Sequence, residues 1–431
     1  MKIILIIQFI LINLLMCQSS SLTLYGIGER SSLHDASAAS MGDLKLFSSN
    51  SIDFVLYSPS SYCNNKQTNL SMSTVFSTLK TDYIDKLSSN NFSHLSFGFP
   101  ITNKQYFLLS FNPYMRNKIH IEENSYKFIG ANNSNQDIDN DGNDDPLAYK
   151  NKYGINGGIS EASLSFSTII NQNISLGLKF GKLFGTTEVQ DTLDFYSAHF
   201  NQDGSLRDPL LLGWPSEISS NTYNYSSSSY MIDMRFKLDD NYLAIYYGQT
   251  DNLLVDIYRR NYSPTQSATI IYNEIFDNVS LKGSKEYGVG IKCNVNSFFS
   301  YVVELHKFNS FSSSKINQYS LPSLNMKSFH IGGIYRLKDE LKGLQVNFIN
   351  INFGLYHKLY KSNNQFNQIP LISDFGLSTG FEIEYLNNNS FSVALQIGKR
   401  FTELYEFKNE LYYKLILSLK SNNKWFVKER E

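Results

Sequence analysis

Beyond its N-terminal stretch the chain has no apolar run of about 18 residues, the length a membrane-crossing helix needs. A polytopic helical membrane protein is therefore excluded. Charge of either sign is not in excess: Lys+Arg 38 stand against Asp+Glu 39, a net charge of -1. A nucleic-acid binder would carry a basic surplus. Cysteine is scarce, with 3 in 431 residues. Cys63 and Cys293, the two beyond the N-terminal stretch, are too few for a disulfide scaffold. Cys293 falls on the apolar face of a strand, where a thiol serves as a small hydrophobe. The 7 histidines show no HExxH and no clustered ligand spacing. Aromatics, by contrast, make up 14% of the chain against 18% charged residues. Mean hydropathy is -0.27, which reads as soluble on average. An antiparallel membrane barrel hides its apolar face in alternation and reads the same way.

The chain opens as a secretory signal peptide, assigned to 1–20. Lys2 gives a short positive region, Ile3 to Met16 is apolar apart from Gln8 and Asn13, and Gln18-Ser19-Ser20-Ser21 supplies the small polar cleavage region. Leu14-Leu15-Met16-Cys17 has the outline of a lipoprotein site, but Met before the Cys suits that cleavage poorly.

Period-two alternation, the mark of strands, dominates the rest. Ala162-Ser163-Leu164-Ser165-Phe166-Ser167 turns at Asn171-Gln172-Asn173 into Ile174-Ser175-Leu176-Gly177-Leu178-Lys179-Phe180-Gly181. One face is large and apolar, the other Ser, Gly or Lys. Leu164, Phe166, Leu176, Leu178, Phe381 and Val393 are expected to face lipid, and Lys179 a watery lumen. Similar hairpins run through Tyr230 to Leu238, Tyr287 to Leu305 and Phe375 to Ile397.

Strands are expected near 68–78, 91–99, 105–128, 159–170, 173–185, 224–238, 241–254, 284–295, 297–309, 325–338, 343–357, 373–386, 390–402 and 409–420. The third carries Pro113, which predicts a kink or bulge there. Short turns alternate with connections that are mostly long and rich in Asn, Ser and Asp. Outer-membrane barrels have short periplasmic turns, longer external loops and an even strand number. The reading is thus an all-β transmembrane antiparallel barrel of about fourteen strands, localised to the bacterial outer membrane, with both ends on the periplasmic side. Residues 21–67 are assigned to an N-terminal hatch, 68–420 to the barrel and 421–431 to a C-terminal periplasmic tail. Tyr106, Phe184, Tyr246, Tyr247, Phe401, Tyr412 and Trp425 are candidates for interfacial aromatic girdles.

Four stretches carry a family resemblance. The first is Tyr25-Gly26-Ile27-Gly28-Glu29 with Asp35-Ala36-Ser37-Ala38-Ala39-Ser40-Met41-Gly42, leading to Ser58-Pro59-Ser60. The second is Leu95-Ser96-Phe97-Gly98-Phe99-Pro100 with Phe111-Asn112-Pro113-Tyr114; the third runs from Gly157-Gly158-Ile159 to Leu183-Phe184-Gly185; the last is Asn423-Lys424-Trp425-Phe426-Val427-Lys428. In these the chain resembles the FadL-like superfamily of long-chain fatty acid transporters, especially the Bacteroidetes-type branch that includes PorV-like proteins. The resemblance implies a barrel plugged by an N-terminal hatch, with Ser58-Pro59-Ser60 where the family has Asn-Pro-Ala, a hatch and ligand-handling position.

Two motifs have chemical readings. Gly376-Leu377-Ser378-Thr379-Gly380 matches the nucleophile-elbow pattern, which needs a strand-turn-helix context; here it lies within a strand, with Ser378 facing the lumen, and the chain is read as no enzyme. In Asp137-Ile138-Asp139-Asn140-Asp141-Gly142-Asn143-Asp144-Asp145, acidic residues at the first, third, fifth and ninth places around a Gly match the start of a calcium loop. Ala148 stands where an EF-hand has its bidentate acid. Two readings are open: Asp137, Asp139, Asp141 and Asp145 bind one Ca²⁺, or the loop is solvated and acidic. No other cofactor is expected.

Two functions follow as expectations. The first is passive diffusion of hydrophobic small molecules across the outer membrane. The second is a PorV-like scaffold that binds secreted or periplasmic proteins. An apolar pocket against the hatch would favour transport; a closed lumen would favour the scaffold.

Overall fold

Leu, Ile, Val, Phe and Tyr at alternate positions turn outward along the chain, and small or charged residues turn inward, which bends the paired strands into a closed wall. The computed structural model describes residues 28–31, 35–49, 55, 57–81, 87–122, 127–129, 147–197, 199–200, 206–207, 217–263, 269–312, 324–337, 346–362, 371–385, 389–401 and 409–423. An inner segment comes first: β1 (Glu29–Arg30), α1 (Ala36–Ser40) and a 3₁₀ turn over Pro59–Asn64. The wall begins with β2 (Thr68–Thr81), β3 (Leu87–Thr102) and β4 (Gln105–Glu122), followed by a short β5 (Lys127–Ile129) and β6 (Leu147–Asn171). Next come β7 (Ile174–Ser197), the small pair β8 (His199–Phe200) and β9 (Leu206–Arg207), and β10 (Glu217–Leu238). Then follow β11 (Asn241–Thr250), β12 (Leu253–Ser263), β13 (Thr269–Leu281), β14 (Lys285–Asn294) and β15 (Phe299–Asn309). The last five are β16 (Leu324–Leu337), β17 (Val346–Ser362), β18 (Ile372–Tyr385), β19 (Ser390–Phe401) and β20 (Asn409–Asn423).

Fourteen of these form the closed antiparallel barrel. The order is β2-β3-β4-β6-β7-β10-β11-β14-β15-β16-β17-β18-β19-β20, with β20 returning to β2 from Thr68↔Asn423 to Thr81↔Glu410. β12 and β13 are upward continuations of β11 and β14. β10 pairs with β11 over Ser229 to Leu238 and with β12 over Ile218 to Ser226.

The strands stand taller than the alternation predicts. Residues 147–158, 186–197, 217–223, 255–263 and 269–281, expected in long connections, are strand. Above the membrane the outward face meets water instead of lipid, so the apolar-polar rhythm fades. In Asn221-Thr222-Tyr223-Asn224-Tyr225 the large residues point inward, and Tyr223 and Tyr225 are buried.

Within the membrane band the outward face is as expected. Leu164, Phe180 and Leu377 are 47%, 54% and 55% exposed, and so large an apolar surface is stable only against lipid. Phe381 is exposed as well, while Phe166, Leu176, Leu178 and Val393 are half-exposed. The aromatic expectation divides. Phe184, Tyr247 and Phe401 face outward, but Tyr106, Tyr246 and Tyr412 are buried inside the barrel. Their hydroxyls explain the inward choice for two: Tyr106 donates to the Gln67 carbonyl at 3.1 Å and Tyr412 to Asp374 at 2.6 Å. Trp425 lies outside the described residues.

The described part of the inner segment is buried against the inward face of the wall. Every residue of α1 is buried, and α1 packs against β17, β18, β19 and β20. The 3₁₀ turn packs against β6, β7 and β10. Gly332 and Gly354 are cross-strand partners whose missing side chains leave a notch for Met41-Gly42. A Cβ on Gly354 would sit 2.2 Å from the Gly42 nitrogen, and one on Gly332 2.6 Å from the Met41 carbonyl oxygen.

Candidate functional site

The wall meets the inner segment through charged side chains that the alternation places on the inward face. On β15, Glu304 accepts three consecutive backbone N–H groups, from Lys45 at 2.7 Å and from Leu46 and Phe47 at 3.0 Å each. On β16, His330 donates to the Gly42 carbonyl at 2.6 Å. Ser378 of β18 accepts from the Gly42 N–H at 2.7 Å and donates to the Ser40 carbonyl at 2.9 Å. The nucleophile-elbow serine is thus a ligand of the plug. Gln396 of β19 donates to the Ala39 carbonyl at 2.9 Å.

Ion pairs reinforce these bonds. Lys358 pairs with Asp43, and Lys420 with Asp35 at 2.6 Å. Arg400 meets Glu29 at 2.6 Å, Asp374 at 3.0 Å and Glu410 at 3.3 Å. Lys45 lies 5.0 Å from the Tyr57 ring centroid, and burial pushes its amine down to about 8. Burial also raises the Cys63 thiol to about 11, which makes it a poor nucleophile.

Ser58, Pro59 and Ser60 come together on the opposite wall. Pro59 opens the 3₁₀ turn, where its fixed φ and absent N–H cost nothing. Ser58 donates to Asp233 of β10 at 3.0 Å, and Ser60 binds the same carboxylate through its N–H at 3.0 Å and its hydroxyl. Arg235 reaches Ser58 at 3.3 Å and the Leu46 carbonyl at 2.8 Å. Lys179 departs from expectation. It is buried and paired with Glu161 at 3.0 Å, because the plug occupies the space that would otherwise hold water. Asp137, Asp139, Asp141 and Asp145 lie outside the described residues; among the described residues no group of three His, Cys, Asp or Glu could hold a metal ion.

A seam interrupts the wall between β3 and β4. Their pairing runs from Thr102↔Gln105 up to Leu95↔Phe111 and stops. Above it, the described part of β3 pairs only with β2, while β4 pairs with β6 and with the inner strand β1 through Glu29↔Arg116 and Arg30↔Met115. Pro113 marks the departure, with a register shift between Pro113 and Met115. The neighbours follow the bend with glycines at positive φ: Gly157 at 136°, Gly158 at 139° and Gly185 at 154°. Other residues rarely adopt that conformation.

On the outward face just below the seam, where β3 and β4 are still paired, lies a groove of about 310 Å³ lined by Leu95, Phe97, Leu109, Phe111 and Leu164 with the small residues between them. At its upper end Phe92 of β3 and Phe111 of β4 approach across the seam with ring centroids 6.0 Å apart. Inside, β4 delivers Tyr114 and Met115 to a buried apolar cluster with Ile159, Leu183, Tyr223, Val255 and Phe311. Arg30 sits below that cluster, 3.7 Å from the Tyr114 ring centroid and 3.4 Å from Glu286.

Sequence reasoning identified the Pro113 kink but missed Glu304, Lys358, Asp374, Arg400 and Lys420. The available signal was a charge in the inward phase of a strand that must cross the membrane.

A closed fourteen-stranded barrel with an apolar belt, its own N-terminal segment buried inside, defines the class: an outer-membrane β-barrel. Within that class the chain belongs to the BamG family, whose profile matches residues 1–430. Solved structures with the same fold include the CymD monoaromatic hydrocarbon channel, at 11% identity, TM-score 0.54, and coverage of 94% of this chain and 99% of that one. A Pseudomonas aeruginosa FadL homologue is similar at 11% identity and TM-score 0.54, covering 93% and 99%. The P. putida toluene transporter TodX is similar at 9% identity and TM-score 0.50, covering 91% and 99%. None of the curated proteins matches the chain.

Proposed function

We propose that this barrel passes hydrophobic small molecules across the outer membrane down their concentration gradient. The observation that carries the reading is the seam between β3 and β4, flanked by an apolar groove outside and an apolar cluster inside. An apolar solute gains free energy by leaving water for such surfaces and needs no charged site to hold it. The path runs from the external end through the cluster around Tyr114 and Tyr223, then sideways past Phe111 into the bilayer. The hydrocarbon channels and toluene transporter that share the fold support the substrate class.

Uptake of a labelled hydrocarbon into proteoliposomes tests it. Cysteines placed at Phe92 and Phe111, in a background with Cys63 and Cys293 replaced by Ser, allow the seam to be bridged with a short bis-maleimide. Uptake by the unbridged protein should exceed that of protein-free vesicles, and bridging should abolish the excess. Equal uptake in all three samples would discard the transport reading.

One observation favours a second reading, a protein-binding scaffold. The plug is held by many ion pairs and hydrogen bonds, and β6, β7, β10, β12 and β13 extend far past the short-turn half of the wall. On that reading the tall strands form the binding surface, and trimming residues 253–281 removes a bound protein without changing vesicle permeability.

A further inference from the structure

The outer face of β14 to β17 carries lysines at one height with no acid among them. Lys307 and Lys327 are direct cross-strand partners, and Tyr287 is the partner of Lys307 on its other side. Like charges directly opposed on one face repel. Among the described residues neither lysine has an ion pair; Lys307 lies 5.5 Å from the Tyr287 ring centroid. The acids of the same wall, Glu286, Glu304 and Asp374, all point inward and are buried. Acids of this stretch are thus found only on its inward face among the described residues, where Lys358 also lies paired with Asp43, and the outward face carries lysines without a neutralising carboxylate.

Beside the lysine pair is a groove of about 440 Å³. Leu305, Phe329 and Val289 supply its apolar floor, and Lys307, Lys327 and His357 its polar edge. His357 is the direct partner of Phe329 and bonds to Ser373 at 2.8 Å. Lys307 lies eight residues up β15 from Phe299, next to the short turn. At the rise of a strand and the usual barrel tilt this is roughly 20 Å above the short-turn end, near the upper edge of an apolar band about 25 Å tall. On the topology of outer-membrane barrels that edge borders the outer leaflet.

We infer that this face binds a phosphorylated, acylated glycolipid of the outer leaflet, its phosphate between Lys307 and Lys327 and an acyl chain along Leu305 and Phe329. A phosphate removes the repulsion of the lysine pair and accepts charge-assisted hydrogen bonds from both. The groove covers a chain that bare lipid contact would leave loosely packed. A bilayer phospholipid with a zwitterionic headgroup satisfies the floor but not the lysine pair.

The full-length barrel, purified in mild detergent, is titrated by native mass spectrometry with bis-phosphorylated lipid A, with lipid A stripped of its phosphates and with phosphatidylethanolamine. Wild type should retain the phosphorylated form about tenfold better than either of the others. Lys307→Gln with Lys327→Gln should reduce that preference to within about twofold, while Lys399→Gln, three strands on from Lys327, should leave it intact. Heat-modifiable migration on gels confirms that each variant is a folded barrel. The inference fails if wild type shows no preference for phosphate, if the double variant keeps it, or if Lys399→Gln lowers it equally. The last result would mean diffuse rim charge in place of a site.

Discussion

The two sides of the lumen hold the plug differently. On the side of β15 to β20, carboxylates, amines and hydroxyls reach the backbone of residues 36–47 almost residue by residue, with Gly332 and Gly354 admitting it to direct backbone contact. On the side of β3 to β7, the wall gives up its own pairing: β4 leaves β3 at Phe111 and takes β1 as a partner over two residues. Buried ionic groups need complete partners, so the first side is costly to loosen. The second holds a buried Lys179–Glu161 pair within its wall and an Arg30 bond to the Tyr114 carbonyl, but among the described residues no ladder joins β3 to β4 above Phe111 that an opening would have to break. A plug anchored on one side and leaning on a seam at the other localises any opening to the seam.

The largest test of this contrast is Arg400→Ala. It strands Glu29, Asp374 and Glu410 in a buried site, and urea unfolding in lipid should show a loss of about 3–5 kcal/mol; a loss under about 1 kcal/mol would mean that water already screens the anchored side. Next, one residue step should separate lipid from lumen on the seam side. Leu178→Arg should cost about 2–4 kcal/mol if it lies near the midplane, and Lys179→Met, which strands Glu161, about 3–5 kcal/mol. Spin labels finding position 178 buried and 179 in lipid would overturn the register. Gly354→Ala should then overpack the notch against Gly42 by about 1–3 kcal/mol and raise single-channel leak, with a smaller change for a comparable substitution at the seam.

A smaller effect belongs to Lys45. Burial lowers its pKa from 10.5 to about 8, so between those values the unfolded chain binds a proton that the folded one has released. Stability should therefore rise as pH increases through that interval. Cys63, raised from 9.0 to about 11, opposes this above pH 9, leaving pH 8 to 9 as the clean window. Lys45→Met should flatten the rise in urea midpoint there. The smallest concerns the acidic stretch Asp137 to Asp145, outside the described residues. Calorimetry should detect one Ca²⁺ at about 10⁻⁴ to 10⁻³ M, lost in Asp139→Ala with Asp141→Ala; no calcium-dependent heat in wild type ends that reading.

Alternation alone was enough to read the wall, because lipid on one side and a lumen on the other force opposite residue types into opposite phases of each strand. Leu164, Leu377 and Phe381 were legible for that reason, and so was the kink at Pro113, since proline cannot donate to a ladder. The upper halves of β6, β10 and β12 were not, because water on their outer face removes the contrast on which periodicity depends. Nor were the partners of the plug. Glu304 and the Lys45 backbone are 259 residues apart, and which inward charge meets which inner residue depends on how far each strand is staggered when the barrel closes. Residue order along each strand dictates that a barrel forms and which face meets lipid. The closing of that barrel decided that Ser378 is a plug ligand, that Lys179 is dry, and that β4 pairs with β1 above Phe111, because each depends on what fills the enclosed space.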